Sequence, residues 1–441
     1  MSNKVLVMGL GRSGYGAIHL LKKFNYEIVV TINDSLSLKD KDNLSGIKVF
    51  DNGHPLSLLD EDFAFIVKNP GIKYSIPFIQ EALKKGIKII TEIELAYNLT
   101  NNTYLAITGT NGKTTVTTLV YDIIKEQLAH VLCAGNIGTA LSEVVCEYGN
   151  DNIIVTELSS FQLMGIDKFK PHIATILNLA PDHLDYMPTL ESYYESKLSI
   201  YQNMNKDDYF LLNIDDTNVV KYVKNINCNI ITFSLMKKAD IYLKDNNIFF
   251  KDELIMNTNE IKIIGQHNLA NILVAVGFAK LMNIDNCVIK KVINNFKGVE
   301  YRLELVNGLN NNTYYNDSKA TTPDSTITAL KALSNKELVL ILGGFDKGLD
   351  NNLLINYIND HHNIISVYAY GQIKDKFNDI KVPLNKMNSL NEVVKDILNK
   401  YHDINILFSP ATSSYDQYDN YEVRGAHFNK LIRGDNDENS F

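Results

Sequence analysis

Lys113 and Thr114 close the run Thr108-Gly109-Thr110-Asn111-Gly112-Lys113-Thr114-Thr115, set between the apolar stretch Tyr104 to Ile107 and the amphipathic stretch Val116 to Ile124. A glycine-rich turn between a strand and a helix aims backbone N–H groups at phosphate oxygens, and the positive helix end adds to the attraction. Lysine at this place supplies charge to the outer phosphates, and the adjacent hydroxyl suits Mg²⁺. Gly109, Thr110, Asn111, Gly112, Lys113, Thr114 and Thr115 therefore read as a nucleoside-triphosphate site. The spacing is G-x-x-G-K-T, shorter than the strict P-loop, because position 107 is isoleucine. A turn that bound nothing would not need Gly, Lys and Thr to coincide at a strand end.

A second phosphate-type turn, Gly9-Leu10-Gly11-Arg12-Ser13-Gly14, follows the strand-like run Val5 to Met8, and Asp34 stands twenty residues past Gly14 after Ile28 to Ile32. G-x-G-x-x-G fits a dinucleotide, and equally any nucleotide carrying a diphosphate. Beside a triphosphate loop it leaves two readings: an oxidoreductase with an ATP-dependent step, or a substrate with a nucleoside-diphosphate handle. Asn69-Pro70-Gly71, after Phe63 to Lys68, is either a further turn at that handle or a plain loop.

Glu157 follows the strand-like run Asp151 to Thr156, and a carboxylate at such a strand end is a natural Mg²⁺ ligand. His183, near Asp185, follows Ile173 to Leu177 and reads as a metal ligand or proton carrier. Lys197, in the helix-like run Glu191 to Gln202, reads by itself as a solvated surface lysine.

Positioning these groups takes strand-glycine-helix units, and the chain has three: Val5 to Met8 before Gly9, Tyr104 to Ile107 before Gly109, and Leu338 to Leu342 before Gly343-Gly344. Each is the entry to a parallel α/β sheet whose ligands lie outside the carboxyl strand ends. With 441 residues, the expectation is an α/β protein of three domains. These are an N-terminal Rossmann-like nucleotide-binding domain (1–97), a central P-loop ATPase-like domain (98–298) and a C-terminal Rossmann-like α/β domain (299–441). The short alternating runs between Asp207 and Ile264 read as strands added to the edge of the central domain.

A composition of 45% apolar and 21% charged residues is that of a globular protein, and a net charge of −8 argues against a nucleic-acid partner. The four cysteines are scattered without a CxxC pair, which favours reduced thiols over disulfides or zinc. No stretch reaches the ~18 apolar residues of a membrane span, and the N-terminal residues read as a folded strand, not a signal peptide. A cytoplasmic, monomeric protein with no membrane partner is expected.

In chain order stand T-G-T-N-G-K-T-T, Ala134-Gly135-Asn136-Ile137-Gly138, Glu157-Leu158-Ser159-Ser160-Phe161-Gln162-Leu163, Asn178 with His183-Leu184-Asp185, Gly265-Gln266-His267-Asn268 with Asn271, and Asn316-Asp317-Ser318-Lys319-Ala320-Thr321. Together they resemble the Mur ligases of peptidoglycan precursor synthesis, over essentially the whole length. The N-terminal glycine fingerprint, N-D-S-K-A-T, and Ser409 to Ser414 with Asn420 to Gly425 look like the member that joins D-glutamate to UDP-N-acetylmuramoyl-L-alanine. The resemblance implies an ADP-forming ligase. ATP phosphorylates the alanyl carboxylate, and the amine of D-glutamate attacks the acyl phosphate.

By this likeness Lys113, His183, Lys197 and Lys319 are catalytic, and Asn268, Asn271, Arg302 and Asp317 complete the ATP site. Gly11, Arg12, Ser13, Asp34, Ser35, Asn69, Gly71 and Asn136 hold the UDP substrate. Thr321, Lys347, Ser414 and Tyr421 hold D-glutamate, so the C-terminal domain is expected to close on the central one. By the same likeness one Mg²⁺ falls to Thr114 and a second, near the acyl group, to Glu157 and His183, with Lys197 able to bind Mg²⁺ once a CO₂-derived carbamate turns it into an anion.

The chain departs from the family pattern at Tyr301, where His is usual before Arg302. Tyrosine, with an ordinary pKa of ~10, is a poor proton carrier near neutral pH. Thr322 replaces a usual Asn, and Thr412 and Ser413 replace small residues. The competing readings are another ADP-forming amide ligase, such as a folylpolyglutamate synthetase, and a nucleotide switch. Asn205-Lys206-Asp207-Asp208 spells the guanine-reading N-K-x-D, but precedes an apolar run instead of following one.

Overall fold

A computed structural model describes residues 2–37, 40, 43–182, 186–263 and 265–434. The chain folds into two compact units, Met1–Glu260 with Ala270–Asn294, and Ile261–Leu269 with Asn295–Phe441. The first unit carries two sheets and the second carries one.

The first sheet has β1 (Lys4–Met8), β2 (Glu27–Thr31), β3 (Lys48–Phe50), β4 (Phe65–Lys68) and β5 (Ile89–Ile90) in the order β3-β2-β1-β4-β5, all parallel. Alternation splits β1 between two cores. Val5 and Val7 pack with the helix Arg12–Lys23, whereas Leu6 and Met8 pack with Leu58, Phe78 and Ile79 on the other face. The order reverses between β1 and its two neighbours, so the crevice that binds ligands in such sheets opens at their carboxyl ends.

The second sheet has β6 (Thr103–Thr108), β7 (Val131–Gly135), β8 (Ile153–Glu157), β9 (Ile173–Ile176), β10 (Tyr209–Asn213), β11 (Asn229–Ser234), β12 (Ile241–Lys244), β13 (Asn247–Phe250) and β14 (Glu253–Asn257). Its order is β14-β13-β12-β11-β10-β9-β6-β8-β7. Strands β7 to β12 are parallel, and β13 and β14 add an antiparallel hairpin at one edge, as the alternating runs between Asp207 and Ile264 predict. One apolar core runs from Val5 through Tyr104 and Ala106 to Phe210, which makes the first two sheets a single packed body.

In the second unit β15 (Glu304–Asn307), β16 (Thr313–Asn316), β17 (Leu338–Gly343), β18 (Ile364–Tyr370), β19 (Leu384–Met387) and β20 (Asn405–Phe408) lie in the order β15-β16-β20-β17-β18-β19. All pairs are parallel except β15 with β16. Leu338, Leu340 and Leu342 face one core, and Val339 and Ile341 face the other. A strand buried on both faces reads as a continuous apolar run, which is how β17 stands in the sequence.

Candidate active site

The glycine loop leaves β6 and ends at Gly112, the left-handed N-cap (φ 87°) of the helix Lys113–Gln127. The loop is built by its neighbour β9. Asn111 N–H donates to the Asn178 side-chain oxygen at 2.8 Å, and Asn178 Nδ2 returns a bond to Asn111 O at 2.9 Å. Thr110 N–H donates to Asn178 O, and its hydroxyl to Ala180 O. Lys113 Nζ donates to the carbonyls of Gly109 (2.9 Å) and Thr110 (2.8 Å), so its charge is centred on the loop. Thr115 Oγ1 is buried without a partner among the described residues, a polar atom left over in the first turn of the helix. A Cβ at Gly112 would lie 2.6 Å from Asn271 Oδ1, which brings that asparagine to the loop. Asn268 stands three residues before it on the helix Gln266–Leu281, hence on the same helical face.

Glu157 is the last residue of β8, next to β6 in the sheet, and is 2% exposed. Its two oxygens accept from Thr114 Oγ1 and Asn136 Nδ2, each at 2.8 Å. A hydroxyl and a carboxylate this close are hard oxygen donors of the kind Mg²⁺ takes when phosphates and water complete its shell. Among the described residues no three His, Cys, Asp or Glu side chains cluster as a metal site. His183 and Asp185 lie outside the described residues.

Lys197 departs from the bare sequence reading, because it is 1% exposed and not a surface lysine. Its helix, Leu190–Leu198, also buries Tyr193, Tyr194 and Ser196. The ammonium donates to Gly109 O at 3.1 Å and lies 4.6 Å from the centre of the Tyr193 ring. Burial, and then the nearby Lys113 charge, drive its pKa well below the ordinary lysine value.

The predicted handle residues gather at the carboxyl ends of β1, β2 and β4. Gly14 has no room for a side chain, since a Cβ there would lie 2.0 Å from Gly9 O. Asn69 packs against the glycine turn, with Nδ2 2.9 Å from where a Gly11 Cβ would stand, and its Oδ1 accepts from Gly71 N–H. Ser13 is half-buried, whereas Asp34 and Ser35 are exposed after β2, with Ser35 Oγ donating to Asn52. Arg12 Nη1 donates to Gly138 O at 2.8 Å, which ties this turn to the loop carrying Asn136.

In the second unit the carboxyl ends of the adjacent strands β16, β20 and β17 bring three segments together. After β17, the loop with Lys347 is fastened to the segment after β20, as Gly343 N–H donates to Pro410 O and Phe345 N–H to Ser413 O. After β16, Lys319 holds its ammonium 5.1 Å from the centre of the Tyr421 ring, a cation–π distance. Thr321 and Lys347 are half-buried and Ser414 is buried. Thr322 caps the helix Pro323–Ala332, accepting from Ser325 N–H, a role threonine fills nearly as well as asparagine. Tyr301 packs its ring on Gly425, and burial raises its pKa, which suits packing and not proton transfer.

Several residues in this unit carry more than the sequence predicts. Arg424 is fully buried, donating from Nε to Ser318 Oγ (3.1 Å), from Nη2 to Ser318 O (2.7 Å) and from Nη1 to Thr412 O (3.0 Å). It fastens the segment before Lys319 to the segment before Ser414. Its place in Asn420 to Gly425 is visible in the sequence, but its burial is not. Asn178 is likewise visible as a residue and not as the brace of the glycine loop. Asn205 to Asp208 precede β10, which removes the guanine-reading alternative.

Asp317 is buried, accepting from Ser409 Oγ at 2.7 Å and from Leu303 N–H. Burial raises its pKa to about 6, opposed first by Arg302. Arg302 Nε is itself buried without a partner among the described residues. A carboxyl whose folded pKa lies above its unfolded value costs nothing below pH ~4, and its cost grows as pH rises to about 6. Asp317→Asn is therefore expected to gain thermal stability over the parent between pH 4.5 and 7, by roughly 3 kcal/mol at most. A melting-temperature difference that stays flat over this range would disprove it.

Comparison with known proteins agrees with this geometry. The Mur ligase middle domain matches residues 107–279, and the Mur ligase MurD-like N-terminal domain matches residues 3–91. The UDP-N-acetylmuramoylalanine–D-glutamate ligase of Geobacillus sp. (strain WCH70) is 39% identical over 96% of this chain and 96% of its own. That of Bacillus cereus (strain G9842) is 39% identical over 98% and 97%. Among solved structures, MurF ligase from Thermotoga maritima in complex with ADP superposes with a TM-score of 0.64 at 16% identity, covering 97% of this chain and 94% of that one. MurC from the same organism gives 0.60 at 19%, covering 98% and 100%. These neighbours share the three-domain α/β fold. A glycine loop with its carboxylate at the next strand end, a diphosphate-type turn in the first sheet and full-length relatives at this identity make the chain a member of the Mur ligase family.

Proposed function

We propose that the protein is an ADP-forming ligase that adds D-glutamate to UDP-N-acetylmuramoyl-L-alanine in peptidoglycan precursor synthesis. The carrying observation is 39% identity over 96% of the chain to curated relatives named for that reaction. We place the domain boundaries at 1–97, 98–298 and 299–441, one sheet to each. No helix among the described residues is long and apolar enough to cross a membrane, and dependence on ATP and a nucleotide-borne substrate suits the cytoplasm.

A carboxylate is a poor acyl donor, so the alanyl carboxylate attacks the γ-phosphorus of ATP and ADP leaves. The neutral amine of D-glutamate then attacks the acyl carbon, and the tetrahedral intermediate expels phosphate. Transfer between anions needs fixed positive charge, which Lys113 supplies from the glycine loop, and the family likeness assigns the same role to Arg302 and Lys319. Thr114 would hold one Mg²⁺, and Glu157 with His183 a second near the acyl group; bound there, Mg²⁺ would neutralise phosphate charge. Asn268 and Asn271 take the adenine of ATP, and the family likeness counts Asp317 with the ATP site.

The first-sheet turns take the uridine diphosphate, with Asp34 and Ser35 toward the ribose side and Asn136 toward the acyl end. Thr321, Lys347, Ser414 and Tyr421 give donors for the two carboxylates of D-glutamate. Lys197 is the carbamate site. Burial favours the free amine, which adds CO₂ through a new N–C bond with loss of one proton, leaving a carboxylate-like anion near Lys113 and Glu157.

The test is ADP release with Mg-ATP, UDP-N-acetylmuramoyl-L-alanine and either glutamate isomer. Turnover that needs both substrates and strongly prefers the D isomer is expected. Release indifferent to the acceptor would overturn the assignment.

A further inference from the structure

One buried lysine has no part in this chemistry. Lys68 ends β4 in register with Met8 of β1, is 1% exposed and makes no salt bridge among the described residues. Its ammonium donates to the carbonyls of Ile72 (2.7 Å), Asn69 (3.1 Å) and Pro70 (3.4 Å), and lies 4.7 Å from the centre of the Tyr74 ring. Burial pulls its pKa down to about 7. Three acceptors match the three N–H groups of an ammonium, where a neutral amine would fill two, so this nest of carbonyls favours the charged form.

The same turn has a second side. Turning three carbonyls toward one cation fixes the peptide planes of residues 69–72, and Tyr186 adds its hydroxyl to Pro70 O (3.0 Å) and Ile72 O. Away from the ammonium, Asn69 fits the glycine turn so closely that Cβ atoms at Gly9 and Gly11 would lie 3.0 Å and 2.9 Å from its side chain. The shape of the Asn69 turn and the shape of the glycine turn are therefore set together. A buried charge also needs strong justification, because desolvating it without a paired carboxylate is costly.

We propose that Lys68 is a positioning residue for the nucleoside-diphosphate end of the substrate. Its ammonium holds the Asn69–Ile72 turn in the form that seats Asn69 on the glycine turn, and it sets positive charge behind a bound diphosphate. The proposal rests on the reading of residues 9–14 as the handle site.

Steady-state kinetics of Lys68→Met, which keeps the volume and removes the charge, test it. KM for UDP-N-acetylmuramoyl-L-alanine is expected to rise about tenfold or more, with kcat and the KM values for ATP and D-glutamate within about twofold, the pattern of lost ground-state binding. An unchanged KM in a folded variant, or a fall in kcat with all three KM values unchanged, overturns it. If Lys68→Met does not fold, Tyr186→Phe removes a second side-chain donor to two of these carbonyls, and a rise in that one KM supports the proposal while no change overturns it. Gly11→Val separates the two readings. If it leaves the KM untouched, the handle assignment fails and the Lys68 proposal with it; if it raises the KM and Lys68→Met does not, only the Lys68 proposal fails.

Discussion

Exchange of Lys113 for methionine is expected to lower kcat/KM about 10³-fold, with ADP release as the readout and the melting temperature little changed. The ammonium sits 2.9 Å and 2.8 Å from two carbonyls of its own loop, at the centre of the turn that receives phosphates. A unit charge about 4 Å from a phosphate oxygen, at the effective dielectric of a protein surface, is worth about 4 kcal/mol, which is about three powers of ten in rate. Folding is spared because the reciprocal Asn111–Asn178 bonds still brace the loop when the two bonds from the lysine are lost. Activity within tenfold of the parent, in a folded variant, would remove Lys113 from the phosphate site.

Lys197→Arg is expected to cost about as much, for the opposite reason: the parent residue has to stop being a cation. Arginine remains protonated and cannot form a carbamate at any accessible pH. Its guanidinium would enter a site 1% exposed and already close to the Lys113 charge. Two further readouts separate a missing carbamate from simple damage. Removal of dissolved CO₂ should lower parent activity reversibly, and ¹³CO₂ should give the parent a carbamate carbon resonance that Lys197→Arg lacks. Parent activity indifferent to CO₂, with no such resonance, would sink the modification.

Lys197 also shows where sequence reading reaches its limit. Its helix buries tyrosines, a serine and the lysine itself, types that ordinarily mark a wet face, so no apolar periodicity announces the core. The strand-glycine turns of β1, β6 and β17 were legible because backbone sterics demand glycine there, and the sheets followed from apolar runs bounded by those turns. Thr114 and Glu157 were legible as helix-start and strand-end residues, but their 2.8 Å contact depends on β8 lying beside β6, which no local pattern encodes. Asn178, Arg424 and Lys68 act through carbonyls or amides brought near by sheet order. A polar residue with a backbone partner leaves no complementary residue type in the sequence to find.

The outermost strands of the three sheets have a consequence for solution behaviour. Among the described residues β3 and β5 are three and two residues long, β15 and β19 are four each, β7 is five, and β14 is paired across a register shift at Ile248/Phe249. An unpaired strand edge is a template for another chain, and short or irregular edges offer few consecutive N–H and C=O groups to copy. Parallel sheets assemble slowly from distant segments and expose their edges while they do so. The finished molecule should therefore resist edge-to-edge association at high concentration, and the hazard falls on the period of refolding or synthesis, when β6 and β17 are still uncovered apolar ribbons.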